Sequence, residues 1–204
     1  MTTPIRLLLA DDQALVRGAL AALLALEPDI EVVAQAATGD EALAMATKHQ
    51  PDVAVLDIEM PGPSGIDVAR QLRQDGFGGK VVIVTTFGRP GYLRAAMAAG
   101  ASGFVLKDAP AVQLAQAIRR VTAGERVVDP ALAAAALAEG ESPLTSRETD
   151  VLGAAASHDA ISEIASRLHL SPGTVRNHLS AAMQKLGARN RAEAVQMAQR
   201  KGWL

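Results

Sequence analysis

Apolar positions in the first two thirds of the chain follow two alternating rhythms. Short apolar runs occur at Ile5 to Ala10, Ile30 to Ala36, Val53 to Leu56, Val81 to Val84 and Gly103 to Leu106. Such runs predict strands covered on both faces, as in a parallel sheet. Between them apolar residues recur at helical spacing, as at Val16, Leu20, Leu23 and Leu24. Strands alternating with helices predict βαβ units with right-handed crossovers, here a doubly wound α/β domain with a five-stranded parallel sheet. The last helical stripe, Ala111 to Thr122, stops short of Gly124, and "ERVVDPALAAAALAEGESP" follows as a linker. Its Ala-rich centre, Pro130 to Glu139, favours a short helix with proline in the first turn. Beyond Pro143 the rhythm is purely helical: Thr145 and Glu148 offer a capping box, Ser171 and Pro172 open a helix, and Gly187 closes it. The expected organisation is an α/β domain over residues 1–122, a linker over 123–142 and a small all-α domain over 143–204.

Composition narrows the class. With 204 residues, 49% of them hydrophobic, the chain has enough apolar material for cores in both domains. The absence of cysteine excludes disulfides and thiolate metal sites. No signal-peptide pattern opens the chain, and no apolar run approaches the roughly 20 residues of a membrane span, so a soluble cytoplasmic protein without stable membrane insertion is expected. Charge is uneven: residues 1–142 hold 12 Lys+Arg against 17 Asp+Glu, and residues 143–204 hold 8 against 5. An acidic first part and a mildly basic last part predict different partners for the two domains.

Chemistry gathers at the strand ends. "LLLADD" places Asp11 and Asp12 after the first strand, "VAVLDIEMPGPSG" places Asp57 after the third, "VVIVTT" places Thr85 and Thr86 after the fourth, and "GFVLKD" places Lys107 after the fifth. In a parallel doubly wound sheet these ends share one edge, where ligands bind at the point of strand-order reversal. Three clustered acids repel one another unless a hard cation bridges them, and an all-oxygen set suits Mg2+. A lysine and a threonine opposite them suit the oxygens of a phosphoryl group, with Asp57 as the nucleophile. Singly, each residue also has an ordinary structural reading: Asp12 as a helix cap, Asp57 as a turn opener, Lys107 as a solvated charge.

"LLLADDQALVR", "VLDIEMPGPSG", "VTTF" and "AAGASGFVLKD" together resemble the flavodoxin-like receiver domain of bacterial two-component response regulators, over Met1 to about Thr122. The resemblance implies that Asp57 accepts a phosphoryl group from a partner histidine kinase. It implies that Asp12, Asp57 and the main-chain carbonyl of Glu59 bind Mg2+, with Asp11 assisting through water. Thr85 becomes the switch hydroxyl, Thr86 its neighbour at the phosphoryl group, Lys107 the charge partner and Phe104 the aromatic rotamer coupled to the switch. A competing class is the haloacid-dehalogenase-type phosphohydrolases, which use a similar set; they place a second aspartate two residues after the nucleophile, where this chain has Glu59. The regulator resemblance implies a protein that is not an enzyme beyond its own phosphoryl transfer and dephosphorylation.

In the last part, "AISEIASRLHLSPGTVRNHLSAAMQKLG" reads as helix, tight turn, helix. Ile161, Ile164, Ala165 and Leu168 form one buried stripe and Val175, Leu179, Met183 and Leu186 another, leaving Gly173, Arg176, Asn177, Ser180 and Gln184 on the opposite face. A polar face led by Arg and Asn suits base edges and phosphates in a major groove, although any small bundle carries a solvated polar face. "PLTSRETDVLGAAA", "EIASRLHLSPGTVRNHLS", "KLGARNRAEAV" and "GWL" resemble the helix-turn-helix domain of the NarL/LuxR class, with features of its DesR subgroup. By that match Thr174, Arg176, Asn177 and Ser180 occupy recognition-helix positions, and Lys185, Arg189 and Arg191 are candidates for DNA-backbone contacts. Ser180 stands where many members have lysine, and Ala160 where Ser or Thr often caps the first helix, a role open to Asp159. His158, His169 and His178 lack metal-ligand spacing. The whole implies a transcriptional regulator that dimerises on phosphorylation and binds promoter DNA, with a phosphorylation-independent DNA-binding protein as the alternative.

Overall fold

The computed structural model describes residues 3–138, 142–156 and 160–204. The chain divides into two compact units, one of Met1–Gly88 with Leu93–Ala133, the other chiefly of Ala134–Leu204. Along the first unit run β1 (Ile5–Ala10), α1 (Ala14–Leu24), β2 (Ile30–Ala36), α2 (Gly39–His49), β3 (Val53–Asp57), α3 (Gly65–Gln74), β4 (Lys80–Thr85), α4 (Pro90–Ala99), β5 (Gly103–Leu106), α5 (Ala111–Thr122) and β6 (Val127–Val128); α6 (Pro130–Ala138) follows in the chain. All strand pairs are parallel, in the order β2-β1-β3-β4-β5-β6. Among the described residues the sheet therefore has six strands where the apolar runs predict five. Val127 and Val128 pair with Gly103 and Phe104 and cover the open edge of β5; two residues are too few for any periodicity to reveal.

Alternation along the strands sends side chains to two cores. Leu7, Leu9, Val53, Val55, Val82 and Val84 pack with Leu24 of α1 and Leu114, Ile118 and Val121 of α5. Leu8, Ala54, Leu56 and Ile83, also fully buried, point to the other face. Helix α1 departs from its predicted stripe: Leu24 is buried and Val16 and Leu20 are half-buried, but Leu23 is 46% exposed. It belongs with Leu15, Gly18, Ala19, Ala22 and Leu26 to a second, exposed face that is also free of charge. Arg119 of α5 holds this side of the unit together, donating from Nε and Nη2 to the Asp29 carboxylate at 2.8 and 2.6 Å. That bidentate contact holds the Asp29 carboxyl below its usual range.

The second unit contains α7 (Ser146–Ala156), α8 (Ile161–Arg167), α9 (Pro172–Leu186) and α10 (Arg191–Arg200). Val151, Leu152, Ile164, Ala165, Val175, Leu179, Ala182, Leu186 and Ala194 form its core, while Ile161, Leu168 and Met183 sit at the margin. The predicted capping box is present: Glu148 N–H donates to Thr145 Oγ1 at 3.3 Å and Thr145 N–H to Glu148 Oε2 at 2.7 Å. At α8 only half a box exists, because Ala160 has no side-chain oxygen; its N–H donates to Glu163 Oε2 at 2.8 Å. His158 and Asp159 lie outside the described residues. Ser171 Oγ accepts from Thr174 N–H at 3.0 Å, and Gly187, at φ 64°, ends α9 in the left-handed region. His169 takes φ 53° in the α8–α9 turn, a left-handed position that β-carbon crowding makes costly for residues other than glycine. Among the described residues no helix is long and apolar enough to cross a membrane.

Candidate functional sites

Strand order reverses between β1 and β3, since β2 lies on the outer side of β1. Asp11 and Asp12 leave the carboxyl end of β1, and Asp57 ends β3 beside them, so the acids flank the switch point. Asp11 and Asp57 are buried, at 2% and 3% exposure, while Asp12 is exposed. One oxygen from each of the three lies within 4.8 Å of the others. That spacing is close to the about 4.2 Å between trans ligands of an octahedral Mg2+ with 2.1 Å bonds. The donor set is all oxygen and anionic, so these residues fit the ion that the sequence pattern suggests.

Lys107, directly after β5, reaches across to the acids: its Nζ lies 2.7 Å from Asp57 Oδ2 and 2.8 Å from Asp11 Oδ2. One ammonium against three carboxylates leaves the cluster anionic. Burial pushes the Asp57 carboxyl up from its usual value and the charge of Asp11 adds to this, with the Lys107 hydrogen bond opposing. For Lys107 burial alone depresses the ammonium, yet hydrogen bonds to Asp11 and Asp57 outweigh it and the net direction is up. Asp11 is further fixed by Gln13 N–H, which donates to its Oδ1 at 2.9 Å, and Arg17 Nη1 donates to its backbone carbonyl. Nothing in the sequence pattern singles out Arg17; one turn into α1, it reads as an ordinary surface charge.

The loop after Asp57 is held by the starts of two helices. Gly39 N–H, opening α2, donates to Pro61 O at 3.1 Å, and Gly65 N–H, opening α3, donates to Ile58 O at the same distance. A β-carbon on Gly39 would fall 2.0 Å from Pro63 O, and one on Gly65 would fall 1.9 Å from the Asp57 carbonyl. Only glycine permits such an approach, which is the close-backbone use of this residue. Glu59 lies on this loop with its side chain exposed.

Thr85 and Thr86 separate. Thr85 is buried at the end of β4, its Oγ1 accepting from Phe87 N–H at 3.3 Å and its carbonyl from Lys107 N–H at 2.9 Å. Thr86, one residue on, is exposed. Phe104 is buried and pairs with Ile83, two residues before Thr85, so Thr85 and Phe104 belong to the same face of the sheet.

In the second unit, Arg176, Asn177, Ser180 and Gln184 are all exposed along one side of α9. Thr174 is half-buried, its hydroxyl 2.8 Å from Ser171 Oγ within the cap. Lys185 is exposed too, its side chain at 37%, but its Nζ lies 2.7 Å from Oε2 of the buried Glu148. The Lys185 hydrogen bond, with that from Thr145 N–H, holds the Glu148 carboxyl below its usual range. Arg189 donates to Glu193 from Nε and Nη2 at 3.1 and 3.3 Å and is otherwise well exposed, whereas Arg191 is half-buried.

Family comparisons agree with both units. Residues 7–119 match the response regulator receiver domain and residues 142–198 the bacterial regulatory proteins of the luxR family. The chain belongs to the NarL/LuxR class of two-component response regulators, which are DNA-binding transcriptional regulators. Among individual proteins it is 48% identical over 200 residues to the uncharacterized transcriptional regulatory protein YvfU of Bacillus subtilis (strain 168), covering 98% of this chain and 100% of that one. It is 44% identical over 199 residues to the transcriptional regulatory protein DesR of the same organism, covering 98% of each. The crystal structure of the response regulator ChrA, from a heme-sensing two-component system, superposes with a TM-score of 0.59 at 35% identity and covers all of both chains. The RcsB–DNA complex, at 22% identity and TM-score 0.66 over 97% of this chain and 99% of that one, shares the fold.

Proposed function

We propose that Asp57 is the phosphoacceptor of this regulator and that its phosphorylation by a partner histidine kinase promotes dimerisation and promoter binding. The observation that carries this is the buried Asp57 carboxylate, held at the switch point between a second buried acid and Lys107. Asp11, Asp12, Asp57 and the main-chain carbonyl of Glu59 would hold Mg2+, which supplies the positive charge that a phosphoryl group needs among three acids. An Asp57 oxygen attacks the phosphorus of a phosphohistidine, the P–N bond breaks, and the imidazole leaves. Lys107 keeps its place and exchanges a carboxylate oxygen for a phosphoryl oxygen. Thr85 swings its hydroxyl from the Phe87 N–H toward the phosphoryl group, and Phe104, on the same face, repacks into the space released. This pair is the bistable element that a switch requires.

Intact mass after incubation with acetyl phosphate tests the acceptor. The expected result is a Mg2+-dependent gain of about 80 Da, one phosphoryl group, absent from Asp57→Asn. A gain retained in the variant would assign the phosphate to another residue.

Dimerisation needs a surface, and the exposed uncharged face of α1 and the turn after it supports one: Leu15 and Leu26 are 86% and 79% exposed, and Val112 of α5 is exposed as well. Replacing Leu15 and Leu26 together by arginine is expected to leave the receiver folded and its phosphorylation by acetyl phosphate intact. The beryllofluoride-loaded protein should then sediment as a monomer where the parent forms a dimer. In the second unit, Arg176 and Asn177 would read base edges, Thr174 and Ser180 would contact edges or nearby phosphates, and Arg189 and Arg191 would contact the backbone. Domain limits at residues 1–122, 123–142 and 143–204 accompany this proposal.

A further inference from the structure

We infer that Lys185 is a positioning residue rather than a DNA-phosphate ligand, and that with Glu148 it sets the axial position and rotation of α9; this rests on reading α9 as the recognition helix. Three observations carry it. First, the Lys185 ammonium is already spent, lying 2.7 Å from Oε2 of Glu148, whose side chain is buried to 7% exposure. A cation neutralised by a fixed internal carboxylate releases no counterion from DNA. Second, at about 100° per residue, Lys185 lies about 180° around the helix from Arg176 and about 80° from Asn177, at the margin of the polar face. Third, the same Glu148 oxygen accepts the Thr145 N–H at 2.7 Å, so the carboxylate is anchored to the first turn of α7 before Lys185 reaches it. The tie therefore runs from the end of α9 to a fixed point in α7.

The reason for such a tie lies in the rest of the interface. Val175, Leu179, Ala182 and Leu186 of α9 share an apolar core with Val151 and Leu152 of α7. Apolar burial is non-directional and leaves a helix free to slide or roll by small amounts. A partly buried ion pair has one good geometry, and fixing register is the best-attested use of such pairs. Arg176 and Lys185 are nine residues apart, about 13 Å along the helix, so a small error at the tie is carried to the base-reading end. The lysine also lies in the last turn of α9, where the helix dipole favours a cation.

Salt dependence separates positioning from phosphate contact. The probe is a duplex recovered by the parent protein from a random-sequence library, with a scrambled duplex of equal length for comparison, and the full chain is used throughout. Lys185→Met and Glu148→Gln are each expected to weaken binding to the selected duplex about tenfold, the size of one good base-edge contact. Both should leave the slope of log K against log salt as in the parent, and both should narrow the preference for the selected over the scrambled duplex. Lys185→Arg, which keeps the pair, should restore both quantities. The inference is overturned if Lys185→Met flattens the slope by about 0.9 and weakens both duplexes equally, or if Glu148→Gln tightens binding by freeing the ammonium. Should Lys185→Met lose helicity, Lys185→Gln, which still donates to Glu148, carries the same comparison of slopes. Arg176→Ala keeps the two levels apart: no loss of affinity there would remove α9 as the recognition helix, whatever Lys185 does.

Discussion

Replacement of Lys107 by methionine is expected to destabilise the first unit by about 3 kcal/mol at neutral pH in the presence of EDTA, the cost of breaking a buried ion pair from one side. The methionine fills the space, so the loss is electrostatic: Asp11 and Asp57 lose the only cation within hydrogen-bond distance of both among the described residues. The deficit should depend on pH in a defined direction. Burial already raises Asp57 above the ordinary carboxylate value, and removing Lys107 raises it further. A raised carboxyl holds a proton in the folded state that the unfolded chain has released. Stability of the variant relative to the parent therefore falls as pH rises from about 4, the unfolded value, toward the folded one. In the parent, the contribution of Lys107 is complete at these pH values; it fades only as pH climbs above the ordinary lysine value and through its raised folded one. Excess Mg2+ should restore more stability to the variant than to the parent, since binding to the folded state adds to its free energy and the acids of the variant are the less neutralised. Urea unfolding at pH 5 and pH 7, with EDTA or with Mg2+, makes the measurement. A deficit independent of both pH and Mg2+ would mean that Lys107 acts through packing.

The acids were legible because they break a strong pattern: charged residues at the ends of apolar runs are conspicuous, and parallel topology brings strand ends together. The same logic placed Lys107, although not its position between Asp11 and Asp57 rather than beside one of them. Thr85 and Thr86 show where the signal stops. Two adjacent hydroxyls are equivalent in sequence, and only the point at which β4 ends, after Thr85, buries the first and exposes the second. Leu23 illustrates a related limit. In an Ala- and Leu-rich helix such as α1, apolar residues occur at every angle, so periodicity cannot tell the face that meets the sheet from the face left open. The place of Lys185 in a motif suggests a DNA contact, while its pairing with Glu148, thirty-seven positions earlier, is a property of tertiary packing that the motif does not show. Gly39 and Gly65 were hidden differently: a glycine advertises a turn, and what it leaves room for is visible only when the carbonyl facing it is known.

Gly65→Ala should expose that last constraint with a large effect. The added β-carbon would meet the Asp57 carbonyl oxygen at 1.9 Å and the Ile58 α-carbon at 3.3 Å. Both are backbone atoms, so no side-chain rotation relieves the clash; either α3 withdraws or the end of β3 moves. Overpacking of this kind costs about 1–3 kcal/mol, and a shift of about 1 Å in a reacting group lowers the rate about 100-fold. Phosphorylation by acetyl phosphate, followed as the rate of mass gain at a temperature where circular dichroism shows the variant folded, should fall by about that factor. Gly18→Ala provides the opposite case: a β-carbon there meets nothing within 4 Å, and in a helix interior alanine is favoured by up to about 1 kcal/mol, so stability should rise slightly with phosphorylation unchanged. If Gly65→Ala loses stability yet accepts phosphate at the parent rate, α3 has yielded alone. Its start would then serve the fold and not the acceptor, and the loop that carries Glu59 would owe its position to the Gly39 side.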